Sequence, residues 1–141
     1  MGTYLNPGNS GFARALKSKY VDKTGLIDVV NGTINTAINL SCISRPRRFG
    51  KSYAAQMLCA YYDRTVDSHA LFKDLKISKT DSYEQHINKY DVIYIDMTNI
   101  IGKAEPGDFV RFLVNAVTEE LLLSYPDIRP GNAFEDRKSV V

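Results

Sequence analysis

At 141 residues the chain is one domain or a piece of one, and a composition 44% apolar and 11% aromatic can fill a core. A formal net charge of +2 is too small to argue by itself for a nucleic-acid or membrane partner. No apolar run approaches the roughly 18 residues of a membrane span, and Met1-Gly2-Thr3-Tyr4-Leu5-Asn6-Pro7 has neither the basic nor the apolar region of a signal peptide, so a cytoplasmic protein with no membrane partner is expected.

Asn6-Pro7-Gly8-Asn9 is turn chemistry. Phe12, Ala15 and Leu16 then recur at helical spacing, which predicts a helix over Gly11 to Lys19. Thr24 is a candidate cap for a second helix carrying Leu26, Ile27, Val29 and Val30, and Asn31-Gly32 should stop it. Ile38 to Ile43 is rich in β-formers and ends at a turn containing Pro and Gly, so a strand is expected there. From Tyr53 to Tyr62 the pattern turns helical. Ala54, Met57, Leu58 and Tyr61 share a face that Ala55, Cys59 and Tyr62 widen, as suits a helix lying on a parallel sheet.

Cys42 and Cys59 both sit in apolar contexts and are read as buried thiols rather than a disulfide or metal pair. Ala70, Leu71, Phe72, Leu75 and Ile77 suggest a short helix and a packed turn, and Asp81 or Ser82 could cap a helix carrying Tyr83, His86 and Ile87. Asp91 to Met97 reads as a second strand. Pro106-Gly107-Asp108 opens the longest helix, with Asp108 as N-cap and a stripe of Phe109, Leu113, Ala116, Val117 and Leu121; Tyr125-Pro126 should end it. No periodicity follows from Asp127 to Val141. The order β-loop-α, then β-α, argues for an α/β domain with a parallel sheet.

The stretch with the most chemistry is Ser44-Arg45-Pro46-Arg47-Arg48-Phe49-Gly50-Lys51-Ser52, between the first expected strand and its helix. Gly-Lys-Ser in that context is how a phosphate-binding loop runs into a helix N-terminus. Gly50 would let the backbone approach an anion, Lys51 would place an ammonium on the β- and γ-phosphates, and the Ser52 hydroxyl could ligate Mg²⁺. Arg47 and Arg48 add positive charge. The first glycine of G-x-x-x-x-G-K-[ST] is replaced by Arg45, which Pro46 holds extended.

Taken together, four stretches resemble the AAA-ATPase-like family of bacterial P-loop proteins. They are Tyr4 to Asn9 with Gly11-Phe12, Tyr20-Val21-Asp22-Lys23-Thr24-Gly25-Leu26-Ile27, the loop Ser44 to Ser52, and Tyr90 to Asp96. Arg-Pro-Arg-Arg-Phe-Gly-Lys-Ser is the family's own form of the loop, which makes Arg45 a family trait. The resemblance implies a P-loop NTPase-like parallel sheet with flanking helices, incomplete here because the chain matches an N-terminal fragment of about residues 1–135. It implies ATP and Mg²⁺ as ligands, held by Arg45, Pro46, Arg47, Arg48, Phe49, Gly50, Lys51 and Ser52. It also suggests a nucleotide-contacting role for Tyr20 to Lys23, Asp22 included, the alternative being a packed turn with Asp22 and Lys23 paired at the surface. Members commonly continue to an Asp-Glu strand and a C-terminal PD-(D/E)XK nuclease-like domain, through which nucleic acid could be a partner. Hydrolysis would then be expected only in a longer protein. In such sheets the two strands seen here are not neighbours, so alone they would lack partners. The end, Asp136-Arg137-Lys138-Ser139-Val140-Val141, can be encoded by a common sequencing-adapter string and is read as an unstructured, artefactual tail.

Two other readings stay open. Asp96 ends an apolar run as a magnesium ligand can, but Met97-Thr98 follows where a water-activating acid would stand and the family's Asp-Glu strand comes later, so the reading preferred is a residue that ends the second strand near the site without touching the metal. The arginines could also serve a non-catalytic module that grips nucleic acid or another anion. His69 and His86 have no metal-spaced partners and read as structural or surface residues, and Glu119 and Glu120 as a solvated face.

Overall fold

Helical spacing dominates the sequence, and helices dominate the fold. The computed structural model describes residues 2–128. In it run α1 (Ser10–Leu16), α2 (Gly25–Asn31), α3 (Lys51–Tyr62), α4 (His69–Phe72), a 3-10 turn at Lys76–Lys79, α5 (Tyr83–His86), α6 (Met97–Ile101) and α7 (Phe109–Ser124). The tail at residues 136–141 lies outside the described residues. The described residues divide into two compact units, one of Asn6–Val92 and one of Gly2–Leu5 with residues 93–128.

The first unit is built around α3. Met57, Cys59, Ala60 and Tyr61 are buried along it, with Ala54, Ala55, Leu58 and Tyr62 half-buried on either side. Met57, Ala60 and Tyr61, with Leu58 and Tyr62 packed against them, meet Phe12 and Ala15 of α1, Ile27 of α2, Phe72 of α4 and Ile77 of the 3-10 turn in one core. Phe12 stacks on Phe72 at 4.9 Å, and Tyr61 meets Phe72 edge-on at 5.5 Å. Full burial of such side chains stabilises by about 1.5–3 kcal/mol each, which holds α1 and α2 in place although neither exceeds two turns. Polar groups in this core are paired. Asn31 donates to the Tyr61 hydroxyl (3.1 Å) and accepts from the Tyr62 hydroxyl (2.6 Å). The buried Asp63 carboxylate, at the end of α3, accepts from the Gly8 N–H (2.7 Å) and from the Thr65 N–H and hydroxyl (2.8 and 2.6 Å).

In the second unit Ile100 of α6 is fully buried and Leu5 nearly so. α7 carries the expected stripe, with Phe109, Leu113, Ala116, Val117 and Leu121 half-buried. Glu120 is not the solvated group expected. Its carboxylate accepts from the backbone N–H groups of Thr3, Tyr4 and Leu5, each at 2.8 Å. Burial acts to raise its pKa, but the three N–H groups outweigh that and hold it below the ordinary value.

The parallel sheet is the main expectation the structure overturns. Among the described residues there is no strand, only isolated bridges, Leu5 antiparallel to Ile93 and Asp63 parallel to Tyr90. β-branched side chains favour a pleated, half-buried surface, and that preference takes effect only where cross-strand neighbours exist. Residues Ile38 to Ile43 have none among the described residues: Ile38 is 78% and Leu40 93% exposed. Cys42, in the same segment, is exposed rather than buried, whereas Cys59 is buried as expected. Asp91 to Met97 alternates between half-buried and exposed as a strand would, but one bridge to Leu5 is its only pairing among the described residues, and α6 begins at Met97.

Candidate phosphate-binding site

The loop before α3 turns at Arg47-Arg48 and enters the helix through Gly50. Two residues take left-handed backbone there, Arg48 at φ 68° and Gly50 at φ 78°. Glycine adopts that conformation without a Cβ penalty. Gly50 is the N-cap of α3, so no side chain caps the helix, and its first turn has no acidic residue. The first backbone N–H to close back is that of Ala54, onto the Gly50 carbonyl at 2.9 Å. The N–H groups of Lys51, Ser52 and Tyr53 therefore have no intrahelical partner. With the dipole of a twelve-residue helix behind them, they favour negative charge.

Two ammonium groups sit on this loop. Lys51 Nζ donates to the Arg45 carbonyl and Lys23 Nζ to the Phe49 carbonyl, both at 2.8 Å. The loop borders a cleft of about 900 Å³. Gly50 to Ala54 line it together with Ala15, Tyr20, Val21 and Met57, and Lys19, Lys23, Arg47, Arg48 and Lys51 supply positive charge. Tyr20 is fixed as a wall. Its ring lies edge-on to Phe12 at 5.5 Å, its hydroxyl donates to Met57 Sδ at 3.4 Å, and it accepts from the Lys23 N–H at 3.3 Å. Burial raises the phenol's pKa, the Lys23 N–H opposes this and the Asp22 charge adds to it, so the group is neutral at pH 7.

The structure brings Tyr20 together with Arg47, Arg48, Phe49, Gly50, Lys51 and Ser52 around that cleft. Arg45 borders a second hollow of about 510 Å³ that shares Lys23, Gly50 and Lys51 with it. Pro46 is exposed in the turn. Asp22 is used elsewhere. Its carboxylate accepts from the Thr24 N–H (2.9 Å) and hydroxyl (2.6 Å) and from the Lys76 N–H (2.8 Å). Burial would raise its pKa, but these donors and the Lys76 charge outweigh it and leave the carboxyl below the ordinary value. The Thr24 hydroxyl is thereby engaged with Asp22 instead of capping α2. Lys19 and Tyr53 were not named as site residues by sequence, and Ala15 and Met57 were read only as apolar helix-face positions. A signal was available for Tyr53 and Met57, since residues four apart on α3 share a face.

The donor set suits a phosphate chain. Backbone N–H groups and cations converge at Gly50 to Tyr53, and a Cβ at Gly50 would stand 3.1 Å from Lys23 Nζ. For magnesium the first turn of α3 offers the aliphatic hydroxyl of Ser52. Among the described residues no group of three or more His, Cys, Asp or Glu could hold a metal ion. One protein oxygen beside phosphates and water fits a cation that arrives with the phosphates. In the second unit Asp96 is the N-cap of α6, accepting from the Thr98 N–H (2.9 Å) and the Asn99 amide (3.2 Å). A family model described as AAA-ATPase_like, predicted AAA-ATPase, matches residues 12–133. No curated protein and no solved structure matches the chain.

Proposed function

This chain belongs to the AAA-ATPase-like family, the predicted AAA-ATPases, and on that premise we propose that it binds ATP, with Mg²⁺ carried on the phosphates, through the loop from Arg45 to Ser52. The observation that carries the reading is the left-handed Gly50, which leads straight into an uncapped helix whose first two residues are Lys51 and Ser52. The open N–H groups and the helix dipole favour the β- and γ-phosphates there. Lys51 would exchange the Arg45 carbonyl for phosphate oxygens. That exchange is favourable because the carbonyl oxygen is neutral whereas phosphate oxygens carry negative charge, which adds Coulombic attraction to the ammonium's hydrogen bond. Arg47 and Arg48 offset the remaining negative charge, and the Ser52 hydroxyl would be the protein's oxygen on magnesium. ATP, when bound, supplies the transferable phosphoryl group. Tyr20, fixed between Phe12 and Met57, gives the cleft a rigid aromatic wall, and Asp22 holds the turn that carries it.

Amide chemical-shift mapping tests this. MgATP should move the resonances of Gly50, Lys51, Ser52 and Tyr53 first and most. Shifts confined to residues outside the cleft would contradict the reading. A second reading is supported by Arg45, Arg47 and Arg48, which are exposed and form no ion pair with another described residue. They could grip nucleic acid without nucleotide. That reading requires binding whose affinity falls steeply with salt and that survives Lys51→Ala.

A further inference from the structure

We propose that Lys23 is a positioning residue of the phosphate site, acting through the Phe49 carbonyl to aim the Gly50 N–H at the ligand. The inference rests on the ATP reading above and adds a residue to it. Lys23 belongs to the connection between α1 and α2, more than twenty-five positions before Gly50 in the chain. Residues 41–49 are all exposed, so packing does little to set the loop's shape. What fixes it is hydrogen bonding. The Lys51 contact to Arg45 joins the loop to its own helix. The Lys23 contact to Phe49 joins it to another element.

The carbonyl chosen matters. A trans peptide unit is planar, with its C=O and N–H pointing in opposite directions. The Phe49 carbonyl and the Gly50 N–H belong to one unit, so an ammonium 2.8 Å from that oxygen fixes the direction of that N–H. At Arg45 the same contact would aim nothing, because the next residue is Pro46, which has no N–H. The empty space at Gly50 completes the arrangement. Only 3.1 Å separates Lys23 Nζ from where a Cβ would stand, so the lysine reaches the carbonyl across a position that glycine keeps open. Lys23 has hydrogen-bonding capacity beyond this one contact, since an ammonium carries three donors, and its charge adds to the cleft's field.

The test compares Lys23→Met, Lys23→Arg and Lys51→Ala by equilibrium binding of a fluorescent ATP analogue, with amide spectra of the ligand-free proteins. Lys23 is exposed, so its substitution leaves the core intact. Lys23→Met, which keeps the stem and removes charge and donors, should weaken binding about tenfold and shift the Gly50 amide resonance before any nucleotide is added. Lys23→Arg should restore affinity to within about threefold. If Lys51→Ala abolishes binding while Lys23→Met binds as the unsubstituted protein does, Lys23 has no part in a site that otherwise stands. If Lys23→Met weakens binding without moving the free Gly50 amide, Lys23 touches the ligand directly and the positioning role is overturned. Unchanged binding in Lys51→Ala would instead remove the site reading itself.

Discussion

Replacing Gly50 with alanine adds one methyl group at the point where backbone shape, helix N-terminus and Lys23 meet. Left-handed backbone costs an ordinary L-residue roughly 1–2 kcal/mol. The new Cβ would also lie 3.1 Å from Lys23 Nζ, so the ammonium must shift and its hydrogen bond to Phe49 weakens. A hydrogen bond from a charged group contributes about 1.5–3 kcal/mol net, and weakening it without breaking it loses about 1 kcal/mol of that. Together these give about 2–3 kcal/mol, which is roughly 30- to 150-fold in affinity. The location decides where that energy appears. Since residues 41–49 are exposed, the ligand-free loop can relax out of the left-handed conformation, and the penalty falls on binding instead of on folding. Gly50→Ala should therefore bind the ATP analogue about 30- to 150-fold more weakly in a fluorescence titration while its melting temperature stays within about 2 °C. Gly25→Ala is the control. Gly25 opens α2 at negative φ with nothing within 4 Å of an added Cβ, so binding should not change. Affinity of Gly50→Ala within about threefold of the unsubstituted protein would refute the reasoning.

The two thiols should behave differently. Cys42 is exposed, whereas burial and, after it, the nearby Asp63 charge push the Cys59 thiol up to about 11. Because the thiolate is the reactive form, a thiol reagent at pH 8 should modify Cys42 in the folded protein and Cys59 only in denaturant; fast labelling of Cys59 would contradict the core placement. The Glu120 carboxyl is held low, so its contribution is complete above the ordinary value of about 4.3 and lost as pH falls through the lowered one. Glu120→Gln should reduce hydrogen-exchange protection of the Thr3, Tyr4 and Leu5 amides at pH 7 and abolish its acid dependence. A Glu120 titration midpoint at or above the ordinary value would refute the clamp.

The helices were legible because their signals are local. Phe12 and Ala15, Ile27, Met57 and Tyr61 fall at helical spacing, and each proved to be core. The helix start at Gly50-Lys51 was legible for the same reason, since the turn before it and the apolar face after it are local signals. The expected strands were not safe, because a strand is defined by a partner that its own residues do not specify. Ile38 to Ile43 and Asp91 to Met97 have strand composition without a ladder. Asp96 shows how a local pattern can carry two meanings: an apolar run ending in Asp was also a helix about to begin, and the carboxylate caps α6. Glu120 was missed because its donors, Thr3 to Leu5, lie more than a hundred residues away in sequence, and backbone N–H groups leave no mark in it. Asp22 sits beside the cleft in sequence and is held by Thr24 and Lys76 instead, which required knowing where the 3-10 turn packs.

Equilibrium binding of MgATP to the unsubstituted chain and to Lys51→Ala tests the central claim most directly. An ammonium–phosphate hydrogen bond contributes about 1.5–3 kcal/mol, so loss of Lys51 should weaken binding by at least about tenfold. Saturable binding that collapses in Lys51→Ala is the predicted result. Saturable binding of equal affinity in both proteins would mean that ATP is held elsewhere, and the account of this loop would be wrong.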